Sequence, residues 1–348
     1  MSSSKAKEKL VMRAYAGAKT RALLAVLAVT AGLLVLTGSA ASAAAVSVNL
    51  CALPSSASGV TMPDGVNVPF WGFADGGTGP APDCSAATAT LPGPHLDVNE
   101  GDVVTINVTN ALPIGTAANP HTVTFEIPGV TFAAGPADAA VGATVTRTFT
   151  AGAPGSYLYQ SAGDAGRQLA MGLYGSLTVR PATAGVPIAG QAYHPATTAY
   201  DVEATLVMSA FDPDFNADPD GFDMKKYVAT YWLINGKAYP DTAPIAATAG
   251  QRVLLRYLNA GYDNTTMMLL GMHEQVVARD SHLLNNPFAA AAETIPAGGT
   301  EDAIATVPAS AAPSSNGFAL FNRQLHVTNG PPSSPSHTPG GMLTFIKP

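Results

Sequence analysis

The sequence predicts an all-β chain built from two β-sandwich domains. Three observations carry this prediction: apolar and polar residues alternate with period two in several segments, turn signals recur between these segments, and one strand pattern occurs twice. The composition also fits, because Gly 34 and Pro 28 among 348 residues suit short strands joined by tight turns. The chain is 47% hydrophobic and only 12% charged, which excludes a disordered chain and a coiled coil.

The net charge limits the classes of partner. The sequence has 17 Lys and Arg against 24 Asp and Glu, a formal net charge of −7. A nucleic-acid-binding surface needs a basic field that this chain lacks. We therefore expect no nucleic-acid partner.

A leader precedes the predicted domains. Six basic residues and one acidic residue lie in positions 1–21, the apolar run Leu23–Leu36 follows, and small residues continue to Ala45. This order is that of a secretory signal peptide, so we expect residues 1–44 to be removed and the protein to be secreted, periplasmic or at the cell surface. An uncleaved anchor is the alternative, but the run is shorter than the ~20 residues that a membrane span needs. We expect no membrane span after cleavage.

The two cysteines, Cys51 and Cys84, lie close to the predicted mature N-terminus. In an oxidising compartment an even pair around a Gly- and Pro-rich segment predicts a disulfide. Metal ligation is the alternative, but neither cysteine has a neighbouring His or second Cys at ligand spacing. We therefore predict a Cys51–Cys84 disulfide.

The repeated strand pattern sets the predicted domain boundaries. Residues 101–111 align without a gap with residues 250–260, and residues 175–179 align with residues 341–345. A nearly uncharged segment rich in Ala, Pro and Gly separates the copies, as expected of a linker. The predicted organisation is a signal peptide (1–44), a first domain (45–182), a linker (183–199) and a second domain (200–348).

The segments of both copies resemble the multicopper oxidases in sequence and in order. The first copy has motifs similar to the family's "PGP" and "GD" turns, its "PGTYWYHSH" strand and its "GLYGxLIV" strand. The second copy has counterparts of "NGxxYP", "RxxNAG", "IAxDG" and the C-terminal "GGM". The segments concerned are Leu91–Pro113, Pro154–Val179, Tyr231–Ile245, Arg256–Gly261, Val276–Leu284 and Leu325–Ile346. The resemblance covers nearly all of the predicted mature chain and implies two Greek-key cupredoxin-like β-sandwich domains.

The copper-ligand motifs of the resembled family are degenerate in this chain. A type 1 copper takes a Cys thiolate and two His, and both cysteines lie in the wrong part of the sequence. The family's trinuclear cluster takes His-x-His pairs, and the sequence contains none. The segments at the family's "HWHG", "HSH" and "HCH" positions are Thr124–Ile127, Gln160–Ala162 and Phe321–Arg323.

Three histidines remain as candidate copper ligands: His121, His273 and His326. His121 and His326 lie near degenerate ligand motifs, and His273 lies among several methionines. The sequence favours the alternative interpretation, that these are isolated surface or hydrogen-bonded histidines and that the methionines are flexible core side chains. Copper is the only cofactor candidate. Because no His spacing signature supports a metal site, we do not predict a bound cofactor from the sequence.

An acidic run, Phe211–Asp223, is the remaining candidate site. Its alternating Asp residues suggest calcium, but the EF-hand pattern fails at Ala217, where it requires Gly. We predict a solvated acidic loop.

The expected function follows from these observations. We expect an exported, multicopper-oxidase-like protein that has lost the type 1 and trinuclear copper sites and acts as a binding or assembly module. Its expected partner is a second copy of itself or another exported protein. The alternative is a copper-dependent oxidoreductase with an atypical mononuclear type 2 site.

Overall fold

The computed structural model describes residues 43–310, 312–330 and 339–347. Of the residues described, 45% are in strands and 6% in helices, as the sequence predicts. The predicted signal peptide lies almost wholly outside the described residues, and so does His337. No helix within the described ranges is long and apolar enough to cross a membrane.

The first half of the chain forms a β-sandwich of a four-stranded sheet, in the order β4-β1-β6-β9, and a five-stranded sheet, in the order β5-β11-β10-β7-β8. Two short ribbons, β2-β3 and β12-β13, flank it. The strands are β1 (Ala45–Pro54), β2 (Val60–Thr61), β3 (Asn67–Val68), β4 (Trp71–Asp75), β5 (Leu96–Asn99), β6 (Val103–Asn110), β7 (Val123–Glu126), β8 (Asp138–Ala139), β9 (Thr144–Thr150), β10 (Gly155–Ser161), β11 (Tyr174–Arg180), β12 (Ala182–Thr183) and β13 (Val186–Pro187).

The second half forms a sandwich of a six-stranded sheet, in the order β15-β14-β17-β22-β19-β20, and a five-stranded sheet, in the order β16-β24-β23-β18-β21. The strands are β14 (Val202–Phe211), β15 (Tyr231–Ile234), β16 (Ile245–Ala246), β17 (Arg252–Asn259), β18 (Thr265–Leu269), β19 (Glu274–Arg279), β20 (His282–Ala290), β21 (Ala292–Ile295), β22 (Thr300–Thr306), β23 (Phe318–Asn322) and β24 (Leu343–Lys347). The described helices are short: Arg167–Met171, Pro213–Ala217 and the 3₁₀ turns Asp164–Gly166, Ala196–Thr198 and Met224–Lys226.

The two sandwiches repeat one topology. In the first, β1 pairs parallel with β6 and antiparallel with β4; in the second, β14 pairs parallel with β17 and antiparallel with β15. The other sheets correspond in the same way, since β5-β11-β10-β7-β8 has the order of β16-β24-β23-β18-β21. The aligned sequence repeat lies on β6 and β17, which are equivalent strands. The predicted domain limits at 182 and 200 stay a prediction.

Strand alternation produces the core of each sandwich. On β6 the side chains of Val104, Ile106 and Val108 are fully buried, while Thr105 and Asn107 on the other face are half-buried. This is the period-two pattern that the sequence shows. The equivalent strand β17 is buried on both faces, because Tyr193 of the predicted linker and Leu158 of the first sandwich pack on its outer side.

A buried ionic network joins the two sandwiches. The guanidinium of Arg256 on β17 is fully buried and pairs with Asp302 at 2.8 Å and with Glu203. Ser156 on β10 donates to Asp302 at 2.6 Å, and Arg180 on β11 pairs with Glu203 at 2.7 Å. Buried charges are tolerated only when paired and hydrogen-bonded, so this network ties the position of β10 and β11 to that of β17 and β22.

The predicted disulfide is confirmed. Cys51 on β1 is bonded to Cys84, with a Cα–Cα distance of 5.7 Å. The bond ties the segment after β4 to the strand that pairs with β4. It therefore holds the segment that follows the edge strand β4 against the first four-stranded sheet.

Candidate metal positions

The first two degenerate ligand motifs lie side by side. The resemblance puts them at Thr124–Ile127 and Gln160–Ala162, which are far apart in sequence. In the structure β7 pairs antiparallel with β10, with Gln160 opposite Glu126 and Ser161 opposite Phe125. The side-chain amide of Gln160 donates to Glu126 Oε1 at 2.7 Å. Two positions at which the family has imidazoles therefore hold a carboxylate and an amide bonded to each other.

Ser161, which lies between the two ligand positions Gln160 and Ala162, also forms hydrogen bonds. The buried hydroxyl of Ser161 donates to Gln168 Oε1 at 2.6 Å and accepts from the backbone N–H of Thr124 at 3.1 Å. Gln168, in the short helix Arg167–Met171, is also buried and donates to Thr122 O at 3.0 Å. This network joins β7, β10 and the helix without a metal.

The third motif lies at the end of β23, where Asn322 occupies the position of the type 1 cysteine. Asn322 is fully buried, and its Nδ2 lies 3.8 Å from the sulfur of Met342 and 3.4 Å from Gln324 Oε1. Its Oδ1 accepts from the backbone N–H of Gln324 at 2.8 Å. Arg323, at the position of the following histidine, is exposed. An asparagine and a methionine thus meet where a thiolate and a thioether would be.

His121 is buried and bonded through both ring nitrogens. Nδ1 lies 2.8 Å from Pro113 O, and Nε2 lies 2.9 Å from Asp220 Oδ1. A carbonyl and a carboxylate accept hydrogen bonds, so both ring nitrogens must donate to make both bonds. Neither nitrogen then offers a lone pair to a metal. As a copper ligand His121 stays a prediction that requires one of these two bonds to break.

His326 lies beyond β23 and stacks on Trp232 of β15, with ring centroids 4.3 Å apart and an interplanar angle of 9°. Burial lowers the pKa of His326, while the nearby Asp263 carboxylate raises it. The ring is therefore biased towards its neutral form, which is the form that binds metals.

His273 lies in the turn between β18 and β19 and is exposed. Its neighbours Met267 and Met272 are buried in the core of the second sandwich. The methionines therefore serve as core side chains, and nothing in the described residues brings them to His273.

Within residues 43–310, 312–330 and 339–347, no group of three or more His, Cys, Asp or Glu side chains could hold a metal ion. The other described histidines have polar partners. His95 lies 2.8 Å from Ser176 Oγ, His194 lies 2.7 Å from Glu100, and His282 lies 2.6 Å from Asp280 O.

A cluster of carboxylates lies inside the second sandwich. Glu274 on β19 and Glu301 on β22 are almost fully buried, and each has one oxygen without a hydrogen-bond partner among the described residues. Burial raises the pKa of Glu274 to about 7, although the hydroxyl of Tyr257 donates to it at 2.8 Å. Burial raises the pKa of Glu301 to about 8, against the opposing effect of Arg279. The carboxyl of Glu301 is therefore favoured in its protonated form at neutral pH, whereas that of Glu274 titrates near neutral pH.

Comparison with known proteins identifies a segment of the first sandwich that is similar to a known family. Residues 78–184 match the family model described as multicopper oxidase. This segment is similar to a multicopper oxidase domain. The resemblance predicted from the sequence motifs is thus confirmed. No curated protein matches the chain.

Solved structures extend the likeness to the multicopper oxidase fold of both sandwiches. A blue copper oxidase from Nitrosomonas europaea is 22% identical, with a TM-score of 0.68 over 86% of this chain and 85% of that chain. The multicopper oxidase mgLAC is 22% identical, with a TM-score of 0.68 over 87% and 86%. A copper nitrite reductase from Nitrosomonas europaea is 20% identical, with a TM-score of 0.61 over 87% and 94%. At these identities the likeness shows the cupredoxin-type fold.

Sequence reasoning on this multicopper-oxidase-like chain missed the partners of the candidate residues. Asp220, the partner of His121, belongs to the acidic run Phe211–Asp223. Asp212 in that run caps the helix Pro213–Ala217 by accepting from the N–H of Asp214 at 3.1 Å. The Asp residues of this run indicate turns and helix caps, because Asp favours both. No sequence pattern indicates that Asp220 pairs with His121, which lies 99 positions away.

Proposed function

We propose that this chain is an exported protein on the multicopper oxidase scaffold that has given up the type 1 and trinuclear copper sites and acts as a binding or assembly module. The observation that carries the proposal is the hydrogen bonding of the ligand positions to one another. Gln160 is bonded to Glu126, and Asn322 lies against Met342 and Gln324.

The donor set at these positions does not fit the family's coppers. Type 1 copper takes a thiolate and imidazoles, whereas Asn322 offers an amide and Arg323 a cation. Glu126 and Gln160 offer oxygen and amide donors, which suit harder cations than copper. We therefore derive no redox step for this chain.

Export is supported by the leader and the disulfide. Residues 1–44 have the order of a secretory signal peptide, and a disulfide such as Cys51–Cys84 persists in oxidising compartments. Both features favour a secreted, periplasmic or cell-surface protein.

Assembly is supported by the apolar surface. Ile114, Val228 and Leu325 are large apolar side chains that are 89%, 66% and 63% exposed. An exposed apolar patch favours contact with another protein or a second copy, and these three side chains are the positions at which such a contact would be sought. Light scattering during size-exclusion chromatography tests the second copy, and a strict monomer with no partner recovered in pull-downs would contradict the assembly role.

Copper loading tests the loss of the metal sites. The mature protein would be incubated with Cu(II), dialysed and analysed by mass spectrometry for copper and by EPR. We expect copper well below one equivalent and no specific signal. The variants His121→Ala, His273→Ala and His326→Ala would be compared with the control His282→Ala, an exposed histidine outside the candidate set. One equivalent of copper with a type 2 signal that only the candidate variants abolish would replace the proposal by the oxidoreductase alternative.

A further inference from the structure

A groove of about 670 Å³ lies on the outer face of the six-stranded sheet. Its floor consists of side chains that point outward from neighbouring strands, with Val277 on β19 next to Ile304 on β22. Both are almost fully buried. The volume is within the range of about 300–1,000 Å³ typical of sites for small organic ligands.

An irregularity in the strand pairing builds one wall of this groove. The register of β19 with β20 jumps from Val276 opposite Phe288 to Ala278 opposite Leu283. Residues 284–287 therefore leave the ladder opposite Val277, and Leu284 and Pro287 line the groove. Such bulges redirect side chains and often flank functional sites. The opposite wall is the predicted linker, through Pro195.

Arg252 supplies the only charge among the described residues that line the groove. Its Nη2 donates to the carbonyl of Thr197 at 2.7 Å, and no carboxylate in the described part of the chain forms an ion pair with its guanidinium. The other polar lining residues, such as Gln275 and Thr306, are uncharged. The groove therefore joins an apolar floor and wall to one unpaired cation in a chain of net charge −7.

We infer that this groove binds a small amphipathic monocarboxylate, with the carboxylate on Arg252 and the apolar body over Val277 and Ile304. A guanidinium prefers a planar carboxylate, which it binds through parallel N–H···O bonds. A dianion would leave its second charge facing apolar or uncharged side chains. None of the lining residues is a copper-ligand position, so the inference is independent of the proposed loss of the metal sites.

Calorimetric titration with octanoate tests the inference on the mature protein, with octanol as the neutral analogue. We expect Arg252→Gln to weaken octanoate binding about tenfold, because a charge-assisted bond is lost, and to leave octanol binding unchanged. Arg252→Lys retains the cation and restores part of the affinity. Leu283→Ser, which shortens an apolar side chain of the wall, weakens both ligands. Lys225→Gln, an exposed cation elsewhere, changes neither.

Chain length provides a second measurement that does not depend on any variant. If the apolar body lies along the groove, decanoate binds about fourfold more tightly than octanoate, because two further CH₂ groups are partly buried. No heat of binding for any of these carboxylates up to about 10 mM would overturn the inference. Equal weakening of octanoate and octanol by Arg252→Gln would also overturn it, because the cation would then act only on the fold.

Discussion

Replacing Glu301 by glutamine tests the buried carboxylates of the second sandwich. Glu301 is 2% exposed, and its charged and titratable neighbours are Arg279 and Glu274 on β19 and Glu293 on β21. The amide of glutamine mimics the protonated carboxyl in size and hydrogen bonding. The variant therefore removes the titration of this position while keeping its packing.

The sign and size of the effect follow from the pKa of Glu301, which burial raises from 4.5 to about 8. The folded state then holds a proton that the unfolded state releases, so the free energy of unfolding falls as pH rises from about 4.5 to about 8. Each pH unit in this window corresponds to about 1.4 kcal/mol. Over the full window the free energy of unfolding falls by at most about 5 kcal/mol. Because the site relaxes when Glu301 ionises, we expect a fall of about 2–3 kcal/mol.

Urea unfolding at pH 5, 6, 7 and 8, followed by tryptophan fluorescence, measures this effect. Trp232 packs against the core of the second sandwich and reports on the relevant half. We expect the Glu301→Gln variant and the natural protein to be equally stable near pH 5, and the variant to become more stable by about 2–3 kcal/mol at pH 8. Asp241→Asn, at an exposed carboxylate, is the control and should show no such divergence. A difference that does not change with pH, or a variant less stable at pH 8, would refute the reasoning.

Three further substitutions test the packing and the connections of the two sandwiches. Arg256→Met leaves the buried Asp302 without its cation, while Glu203 keeps its pair with Arg180, and should lower the free energy of unfolding by about 3–5 kcal/mol; a loss below about 1 kcal/mol in chemical denaturation would contradict the network. The double substitution of Cys51→Ser and Cys84→Ser removes the disulfide, whose cysteines are separated by 33 positions, and should lower the free energy of unfolding by about 3–4 kcal/mol. Reduction of the natural protein should give the same loss. Gly175→Ala would bring a methyl group within 2.2 Å of the Tyr159 ring, so calorimetry should give a lower melting temperature, about 1–3 kcal/mol in stability. Gly152→Ala, where no atom lies within 4 Å of the added carbon and φ is not positive, is the control and should show no such loss.

The sequence predicts the strands better than it predicts their partners. Alternation on β6 identifies Val104, Ile106 and Val108 as core residues, because period two places them on one face. The pairing of Gln160 with Glu126 depends on how β7 and β10 meet across a sheet, which periodicity does not specify. Likewise, the bond between His121 and Asp220 depends on a loop of the second half reaching the first sandwich.

The buried glutamates carried a sequence signal that we did not use. Glu274 alternates with Val276 on β19, which places a carboxylate on the core face of that strand. Glu301 stands in the same relation to Ala303 and Ala305 on β22. The sequence indicates the groove less clearly than it indicates the buried glutamates. The register jump opposite Val277 depends on the length of β20 and on how it pairs with β19, which periodicity does not specify.

The most direct test of the central claim is an anomalous-scattering map, recorded at the copper absorption edge, of crystals loaded with Cu(II). The account predicts no ordered copper within ligand distance of Glu126 and Gln160, and none beside Asn322 and Met342, because the side chains at these positions are bonded to one another. A strong anomalous peak at either place, with ligand bonds near 2 Å, would contradict the account and return the chain to the copper-dependent oxidoreductases.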